Sequence, residues 1–339
     1  MTRTLYLHLG PAKTGTSAVQ YILSRHDGSI VLYPRVGLWP DGSHHNLVLN
    51  FFGDYNRPDV TREDPRELLA QIGGEARASD RNLVISSEIL AGRRNLGEFV
   101  DALQTAIGEV CRIVLVVVAR EHRERAASLY NQRVKDAVIG ETREPDAFLI
   151  DHPERFCYNN LLRRLQKSGF ELAVLNYCPA ADFVTRCLAV FGFPPDRIPP
   201  VPTRNVSLGR LALVAALAAN RAMKSREERA SFDAVLSKLA MRFAGVDALF
   251  GRKAVAEVRT VFMADRKFLR QHFDIRIPKA PKPEQISPLF ITDEEFADMS
   301  AAMRELGAYG VRINEQLRCF VRALSKEDAH PAQIEREWC

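Results

Sequence analysis

Short runs of apolar residues recur through the first half of the chain, each bounded by polar or turn-forming residues. The longest run, residues 112–119, consists almost entirely of Val, Ile and Leu. Strands that are buried on both faces of a parallel sheet have this continuous apolar character, so the runs predict buried β-strands. The predicted strands are residues 4–9, 29–33, 82–86, 112–119 and 171–176.

Segments with helical periodicity separate these runs. In residues 16–25, the apolar side chains of Val19, Ile22 and Leu23 fall on one helix face. The same spacing recurs in residues 65–76, 96–107, 121–135 and 156–167. Alternating strands and helices predict an α/β fold in which helices flank a parallel sheet.

The character of the sequence changes in residues 193–202, which contain five prolines. Beyond this stretch the periodicity is helical, and no run looks like a buried strand. The helical segments are residues 208–224, 227–243, 253–271, 293–306 and 311–324. We therefore expect an α/β core in residues 1–195, a mainly helical C-terminal extension in residues 196–325 and a polar tail in residues 326–339.

Charge is only slightly unbalanced in this chain. Its 339 residues include 47 Lys and Arg against 42 Asp and Glu, which gives a net charge of +5. The basic residues are spread along the sequence and are not gathered in one block. This mild excess suits a small anionic ligand and does not indicate a nucleic-acid partner, and the sequence carries no signal for an oligomeric state.

The sequence lacks the usual signals of secretion and membrane insertion. No charged stretch precedes a long apolar run at the N-terminus, and no apolar run approaches the ~18 residues that span a bilayer. The six cysteines form neither CxxC pairs nor zinc-binding patterns with histidine. We therefore expect a cytoplasmic protein with reduced thiols, without a membrane span and without a metal site.

A candidate phosphate-binding loop, GPAKTGTS at residues 10–17, joins the first predicted strand to the first helix. In this context the loop N–H groups and the helix N-terminus attract an anion, and Gly15 allows the backbone to approach it closely. Lys13 supplies a positive charge. The hydroxyl donors of the loop are Thr14, Thr16 and Ser17.

The loop differs from the Walker A motif of nucleoside-triphosphate enzymes. Walker A has the form GxxxxGK[ST], with lysine after the second glycine, whereas Lys13 precedes Gly15 here. Enzymes of that class also hold magnesium with an aspartate. The predicted strand 112–119 is followed by Arg120 instead of an acidic residue.

Arg120 begins a second candidate anion site. The carboxyl end of a parallel strand faces the ligand crevice of the sheet, and arginine can grip a phosphate with two N–H groups. Ser128 follows eight positions later, in the helix that continues as SLYNQRVK. Arg123 and Arg125 of the same helix are interpreted as solvent-exposed.

Together the two sites resemble those of sulfotransferases that use 3′-phosphoadenosine 5′-phosphosulfate (PAPS). The PxKTGTS loop is similar to the 5′-phosphosulfate loop of that family, and Arg120 with Ser128 is similar to its 3′-phosphate site. The likeness is to bacterial and carbohydrate-type members. It lacks the C-terminal Arg-Lys-Gly segment of animal cytosolic members, because residues 251–253 read Gly-Arg-Lys.

The resemblance implies a P-loop-type fold and an enzyme that transfers a sulfuryl group from PAPS to a hydroxyl or amine without a metal. Lys13 would contact the oxygen between phosphate and sulfate, and Arg120 and Ser128 would hold the 3′-phosphate. The 5′-phosphate would lie against Thr14, Gly15, Thr16 and Ser17. The helical residues 196–325 would shape the pocket for the acceptor.

The candidate general base is Glu88, which follows the third predicted strand and so lies at the carboxyl edge of the sheet. Glutamate is the base in carbohydrate-type sulfotransferases, and the resemblance therefore favours a carbohydrate acceptor over another small molecule. Histidine is the base in small-molecule members, and His44 and His45 are the rival candidates. His8 lies inside the first strand and is interpreted as a core residue.

Two other functions stay open at this stage. The first is a P-loop phosphotransferase such as a nucleotide kinase, which would require ATP and magnesium. The second is a non-catalytic nucleotide-binding protein that keeps the fold without turnover.

Overall fold

A computed structural model describes residues 3–55, 60–108, 112–177, 180–200, 208–242, 249–278, 289 and 291–321. Its sheet has four strands, all parallel, in the order β2-β1-β3-β4. The strands are β1 (Thr4–Gly10), β2 (Leu83–Ser86), β3 (Arg112–Ala119) and β4 (Glu171–Asn176). The predicted α/β class, with helices flanking a parallel sheet, is confirmed.

Both faces of the sheet are buried, as the continuous apolar runs predict. Along β3, Leu115 and Val117 join the core on one face, whereas Val114 and Val116 join the core on the other. The strand pairs with β1 in parallel register, with Leu115 opposite Leu7. The apolar strand is therefore fixed at the centre of the sheet by side-chain packing on both sides.

The helices agree with the predicted periodic segments to within a few residues, with additional short helices between them. The α-helices in the described part of the chain are α1 (Thr16–Leu23), α2 (His45–Phe51), α3 (Pro65–Arg77), α4 (Leu96–Ile107), α5 (His122–Lys135), α6 (Pro145–Ile150), α7 (Asn159–Lys167), α8 (Ala180–Phe191), α9 (Arg210–Ala222), α10 (Arg226–Arg242), α11 (Arg252–Phe273), α12 (Asp293–Ala302) and α13 (Gly307–Arg318). The 3-10 helices there are Glu88–Gly92, Pro153–Phe156, Pro195–Arg197 and Met303–Leu306.

The predicted strand at residues 29–33 is wrong. Only Leu32 pairs with the sheet, through an isolated parallel bridge to Leu83. The residues before it form a turn, because the His26 ring accepts a hydrogen bond from the backbone N–H of Ile30. Pro34 follows at once and has no N–H with which to continue a ladder.

The chain forms two compact units that are not continuous in sequence. The first comprises Met1–Arg125, Glu154–Asn205 and Thr260–Ala280 and contains the whole sheet. The second comprises Ala126–Pro153, Val206–Arg259 and Pro281–Cys339, and its described elements are helices apart from an isolated bridge between Ile291 and Val321. The sequence predicts boundaries after residues 195 and 325, whereas the segment Ala126–Pro153 belongs to the second unit and Thr260–Ala280 to the unit that contains the sheet. The predicted polar tail, residues 326–339, lies outside the described residues.

The second unit is organised around α9, whose alanine-rich surface is buried almost throughout. Asn220, near the end of this helix, donates to the carbonyls of Val134 and Glu141 and accepts from the buried Arg229. Because these polar groups satisfy one another, the buried arginine is compatible with the apolar packing around it. In the described ranges of both units, no helix combines the length and apolar character that crossing a membrane requires.

Candidate functional site

The candidate phosphate-binding loop, residues 10–17, lies at the carboxyl end of β1, an inner strand of the sheet, and leads directly into α1. Lys13 and Gly15 both have left-handed backbone angles, with φ of 71° and 85°. The Thr14 hydroxyl donates to the carbonyl of Pro11 at 2.6 Å, which closes the turn. The first N–H groups of α1 have no partner within the helix. Together with the loop N–H groups and the helix dipole, they can stabilise an anion.

Gly15 is required by the packing of this loop as well as by its backbone angle. A Cβ atom at this position would lie 2.7 Å from Phe183 Cε1 and 3.0 Å from Tyr177 Cε2. The two aromatic rings pack against each other with centroids 5.2 Å apart. The rings of Tyr177 and Phe183, the aromatic wall of the loop, therefore pack closely against it where α1 begins, and only glycine fits there.

Arg120 follows β3 and reaches back to the loop. Its Nη1 donates to the carbonyl of Lys13 at 3.1 Å, and its Nε donates to Glu124 at 3.3 Å. Its guanidinium also lies over the ring of Tyr177, 4.7 Å from the centroid. The structure thus brings the predicted Arg120 beside the predicted loop, on the strand next to β1.

Arg125 is a second arginine at the loop, and its interpretation as solvent-exposed is wrong. It is 8% exposed, and its Nε donates to the carbonyl of Ala12 at 3.2 Å while its Nη1 donates to the carbonyl of Phe156 at 3.1 Å. The sequence holds no signal for this contact, because apolar and charged positions alternate irregularly along this part of α5.

The two arginines also orient the backbone of the loop. In a trans peptide the C=O and the following N–H point in opposite directions. When the carbonyls of Ala12 and Lys13 turn towards Arg125 and Arg120, the N–H groups of Lys13 and Thr14 turn away from them. On that side of the loop, the N–H group of Thr14 is placed where a peptide donor can bind an anion.

Glu88 lies against the start of the loop from the other neighbouring strand, β2. A Cβ atom on Gly10 would lie 2.8 Å from Glu88 Cβ, so only glycine allows this approach. Gln20 of α1 donates to the Glu88 carboxylate at 3.1 Å. The predicted base and the predicted phosphate loop are therefore direct neighbours.

His45 is the partner of Glu88, although the sequence presents the two residues as rivals. His45 Nε2 lies 3.5 Å from Glu88 Oε2, and His45 Nδ1 lies 2.8 Å from Ser87 Oγ. Burial raises the pKa of the Glu88 carboxyl, but hydrogen bonding and charge from His45 outweigh it and lower the pKa to about 2. Glu88 is therefore a carboxylate throughout the physiological pH range.

His44 and His8 are buried structural residues. His44 precedes the first residue of α2, and its ring contacts the backbone elsewhere, with Nε2 3.1 Å from the Pro34 carbonyl and Nδ1 accepting from the Ser86 N–H at 3.2 Å. Burial lowers its pKa to about 3, and burial lowers the pKa of His8 to about 4. We do not retain His44 as a candidate base, because both of its nitrogens are occupied and its side chain is fully buried.

The remaining predicted contacts are distributed between the two units. Thr16 is buried and Ser17 half-buried in the first turn of α1, next to the loop. Ser128 is half-buried on α5, where the chain has entered the second unit. The role of Ser128 at a 3′-phosphate stays a prediction.

Among the described residues, one group has the composition of a metal site: the donor atoms of His122, Cys157 and Asp265 lie within 4.8 Å of one another. The Asp265 carboxylate already accepts from His122 Nε2 at 2.8 Å and from the N–H groups of Tyr158 and Asn159. Burial raises the pKa of the Cys157 thiol to about 12, so this cysteine is a thiol at neutral pH when no cation is bound.

Comparison with protein-family models, with curated proteins and with solved structures gives no match to this chain.

Proposed function

We propose that this protein is a sulfotransferase that moves a sulfuryl group from PAPS to a hydroxyl or amine. The observation that supports this best is the convergence of three neighbouring strand ends. The anion loop follows β1, Arg120 follows β3 on one side, and Glu88 follows β2 on the other. A phosphate loop, a second cation and a carboxylate base are the groups that metal-free sulfuryl transfer from a bis-phosphorylated adenosine requires.

The loop would hold the 5′-phosphosulfate through its backbone N–H groups and the hydroxyls of Thr16 and Ser17. Lys13 would stabilise the negative charge that develops on the oxygen between phosphorus and sulfur. Arg120 would hold the 3′-phosphate. The Thr14 hydroxyl is directed to the Pro11 carbonyl, so this residue would contribute its backbone N–H.

The reaction would be an in-line displacement at sulfur. The acceptor oxygen forms a bond to sulfur as the bond between sulfur and the bridging oxygen breaks, and that electron pair remains on the 5′-phosphate. The acceptor proton passes to the Glu88 carboxylate. The products are the sulfated acceptor and 3′-phosphoadenosine 5′-phosphate (PAP), and no covalent enzyme intermediate is formed.

The low pKa makes Glu88 a weak base, so it would accept the proton only late, once the new bond to sulfur is nearly formed. In the related transfer of phosphoryl groups the transition state is loose, so the nucleophile carries little positive charge until the new bond is nearly formed. His45, 3.5 Å from the carboxylate, then stabilises Glu88 in the orientation that receives the proton. A carboxylate base is the type found in carbohydrate sulfotransferases, and a sugar hydroxyl is therefore the acceptor class we propose first.

The proposal is tested by calorimetric titration with PAP, AMP, ADP and ATP, each with and without magnesium. We expect micromolar binding of PAP without metal, weakened roughly 10- to 100-fold in Arg120→Ala because a charged hydrogen-bond partner is lost. Arg123→Ala is the matched control, since this half-buried arginine lies three residues after Arg120, in the first turn of α5, and pairs with Glu121 at 3.8 Å. It should leave PAP affinity within about twofold.

Three results would contradict this assignment. A preference for ATP with magnesium would favour a phosphotransferase, and a failure of PAP to bind would exclude the sulfotransferase. Equal affinity for PAP and AMP would show that no site recognises the 3′-phosphate.

A further inference from the structure

Tyr158 holds the backbone of Arg120 through its hydroxyl. This hydroxyl accepts from the Arg120 N–H at 2.8 Å and donates to the Arg120 carbonyl at 2.9 Å. The side chain of Tyr158 is fully buried in the core on one face of the sheet. One hydroxyl group thus satisfies both polar groups of the peptide backbone at the residue that follows β3, where no sheet partner does so.

Asp265 holds Tyr158 in turn. Its carboxylate accepts from the backbone N–H of Tyr158 at 3.0 Å and from that of Asn159 at 2.8 Å, at the start of α7. It also lies 2.8 Å from Nε2 of His122, the first residue of α5. Asp265 is fully buried and belongs to the segment of α11 that lies within the first unit. A single buried carboxylate therefore fixes the starts of α5 and α7.

The ring of Tyr158 reaches the phosphate loop by a second route. The Arg125 guanidinium lies over this ring, 5.1 Å from its centroid, while its Nε donates to the Ala12 carbonyl. The hydroxyl of Tyr158 thus restrains the backbone of Arg120. The ring contacts Arg125, which in turn is hydrogen-bonded to the loop. These two effects can be separated, because phenylalanine keeps the ring and loses the hydroxyl.

We propose that Tyr158 and Asp265 are positioning residues that hold Arg120 where it binds the 3′-phosphate. This inference rests on the proposed function of Arg120. An arginine side chain has several rotatable bonds, so its guanidinium reaches a fixed phosphate reliably only when its backbone is fixed. The two hydrogen bonds between the Tyr158 hydroxyl and the Arg120 backbone provide that restraint at the end of β3, and Asp265 fixes Tyr158.

The test is the affinity of Tyr158→Phe for PAP compared with its affinity for AMP, which has no 3′-phosphate. We expect PAP to bind about tenfold more weakly and AMP to be weakened clearly less, about threefold at most, because the lost hydroxyl contacts Arg120 directly and reaches the loop only through the Arg120 hydrogen bond to the Lys13 carbonyl. Tyr130→Phe is the matched control. It removes another buried tyrosine hydroxyl, which donates to the Arg143 carbonyl at 2.8 Å in the second unit, and should change neither affinity.

Asp265→Asn provides a second variant. The amide keeps the size of the side chain but places an N–H₂ group where a carboxylate oxygen accepts hydrogen bonds, so the starts of α5 and α7 lose part of their restraint. We expect the same selective loss of PAP affinity, together with a lower melting temperature. Tyr158→Phe keeps the inference testable if this variant does not fold.

The outcomes separate the two proposals. If wild type does not bind PAP, the proposed function fails, and the positioning role fails with it. If wild type binds PAP and Arg120→Ala does not, but Tyr158→Phe binds like wild type, the function stands and the positioning role is overturned. Equal weakening of PAP and AMP in Tyr158→Phe would also overturn it, because that is the effect of a general loss of structure.

Discussion

At the scale of single residues, Glu88 shows what sequence position can and cannot predict. Its place after β2 follows from the strand pattern, and this alone identifies it as a candidate base. Its partner His45 is distant in sequence, because His45 begins α2 and both α3 and β2 lie between α2 and Glu88, so the pattern gives no reason to pair them. The contact at 3.5 Å arises from the fold, as does the low pKa.

The low pKa of Glu88 predicts a stability that depends on pH. Its folded-state pKa of about 2 lies below the ordinary value of 4.5, so ionisation favours the folded state above pH 4.5. This contribution, at most roughly 3 kcal/mol, disappears as the pH falls from 4.5 towards 2. Glu88→Gln should therefore lose less of its unfolding free energy than wild type between pH 5 and pH 3.

Urea denaturation at pH 3, 5 and 7 measures this difference. Glu67→Gln is the control, because Glu67 is exposed on α3 and the substitution should leave the wild-type profile unchanged. Identical pH profiles for wild type and Glu88→Gln would show that the carboxylate does not gain from its contact with His45.

At the scale of elements, the loop between β1 and α1 depends on glycine at position 15. Gly15→Ala combines an unfavourable φ of 85° with an approach of 2.7 Å to Phe183, so it should cost about 2 to 4 kcal/mol of unfolding free energy. Gly28→Ala is the matched control. It has a φ of 80° but nothing within 4 Å of the added Cβ, and should cost about 1 kcal/mol.

Urea denaturation of the two glycine variants at neutral pH makes the comparison. If they lose equal stability, the aromatic wall of Tyr177 and Phe183 does not constrain the loop, and only backbone conformation matters. The difference between the two values therefore reports the packing of the loop.

A long apolar run such as β3 could be predicted as a strand from the sequence, whereas a short apolar run could not be assigned by its composition alone. β3 is apolar and buried from Ile113 to Ala119, whereas residues 29–33 also contain a run of apolar side chains but touch the sheet only at Leu32. The difference is made by the His26 ring, which accepts from the Ile30 N–H in the turn before Leu32. Apolar composition alone does not reveal such a local hydrogen bond.

At the scale of the whole molecule, the two compact units could not be predicted from the sequence, because each of them consists of three separate segments of the chain. Phe268 and Leu269 of α11 belong to the core on one face of the sheet, although they lie far beyond the proline-rich stretch. Their helical spacing would be the same in either unit. For the same reason the sequence does not identify Asp265 as a positioning residue, since nothing in the sequence relates it to Arg120.

The most direct test of the central claim is the formation of PAP from PAPS, because PAP is the product with every acceptor. The protein is incubated with PAPS, a mixture of sugar and phenolic hydroxyl acceptors and a metal chelator, and PAP is quantified by chromatography. We predict PAP formation in the presence of the chelator, reduced roughly 100-fold in Lys13→Ala and retained in Arg123→Ala. Binding of PAP without any formation of PAP from PAPS would contradict the account and favour a non-catalytic nucleotide-binding protein.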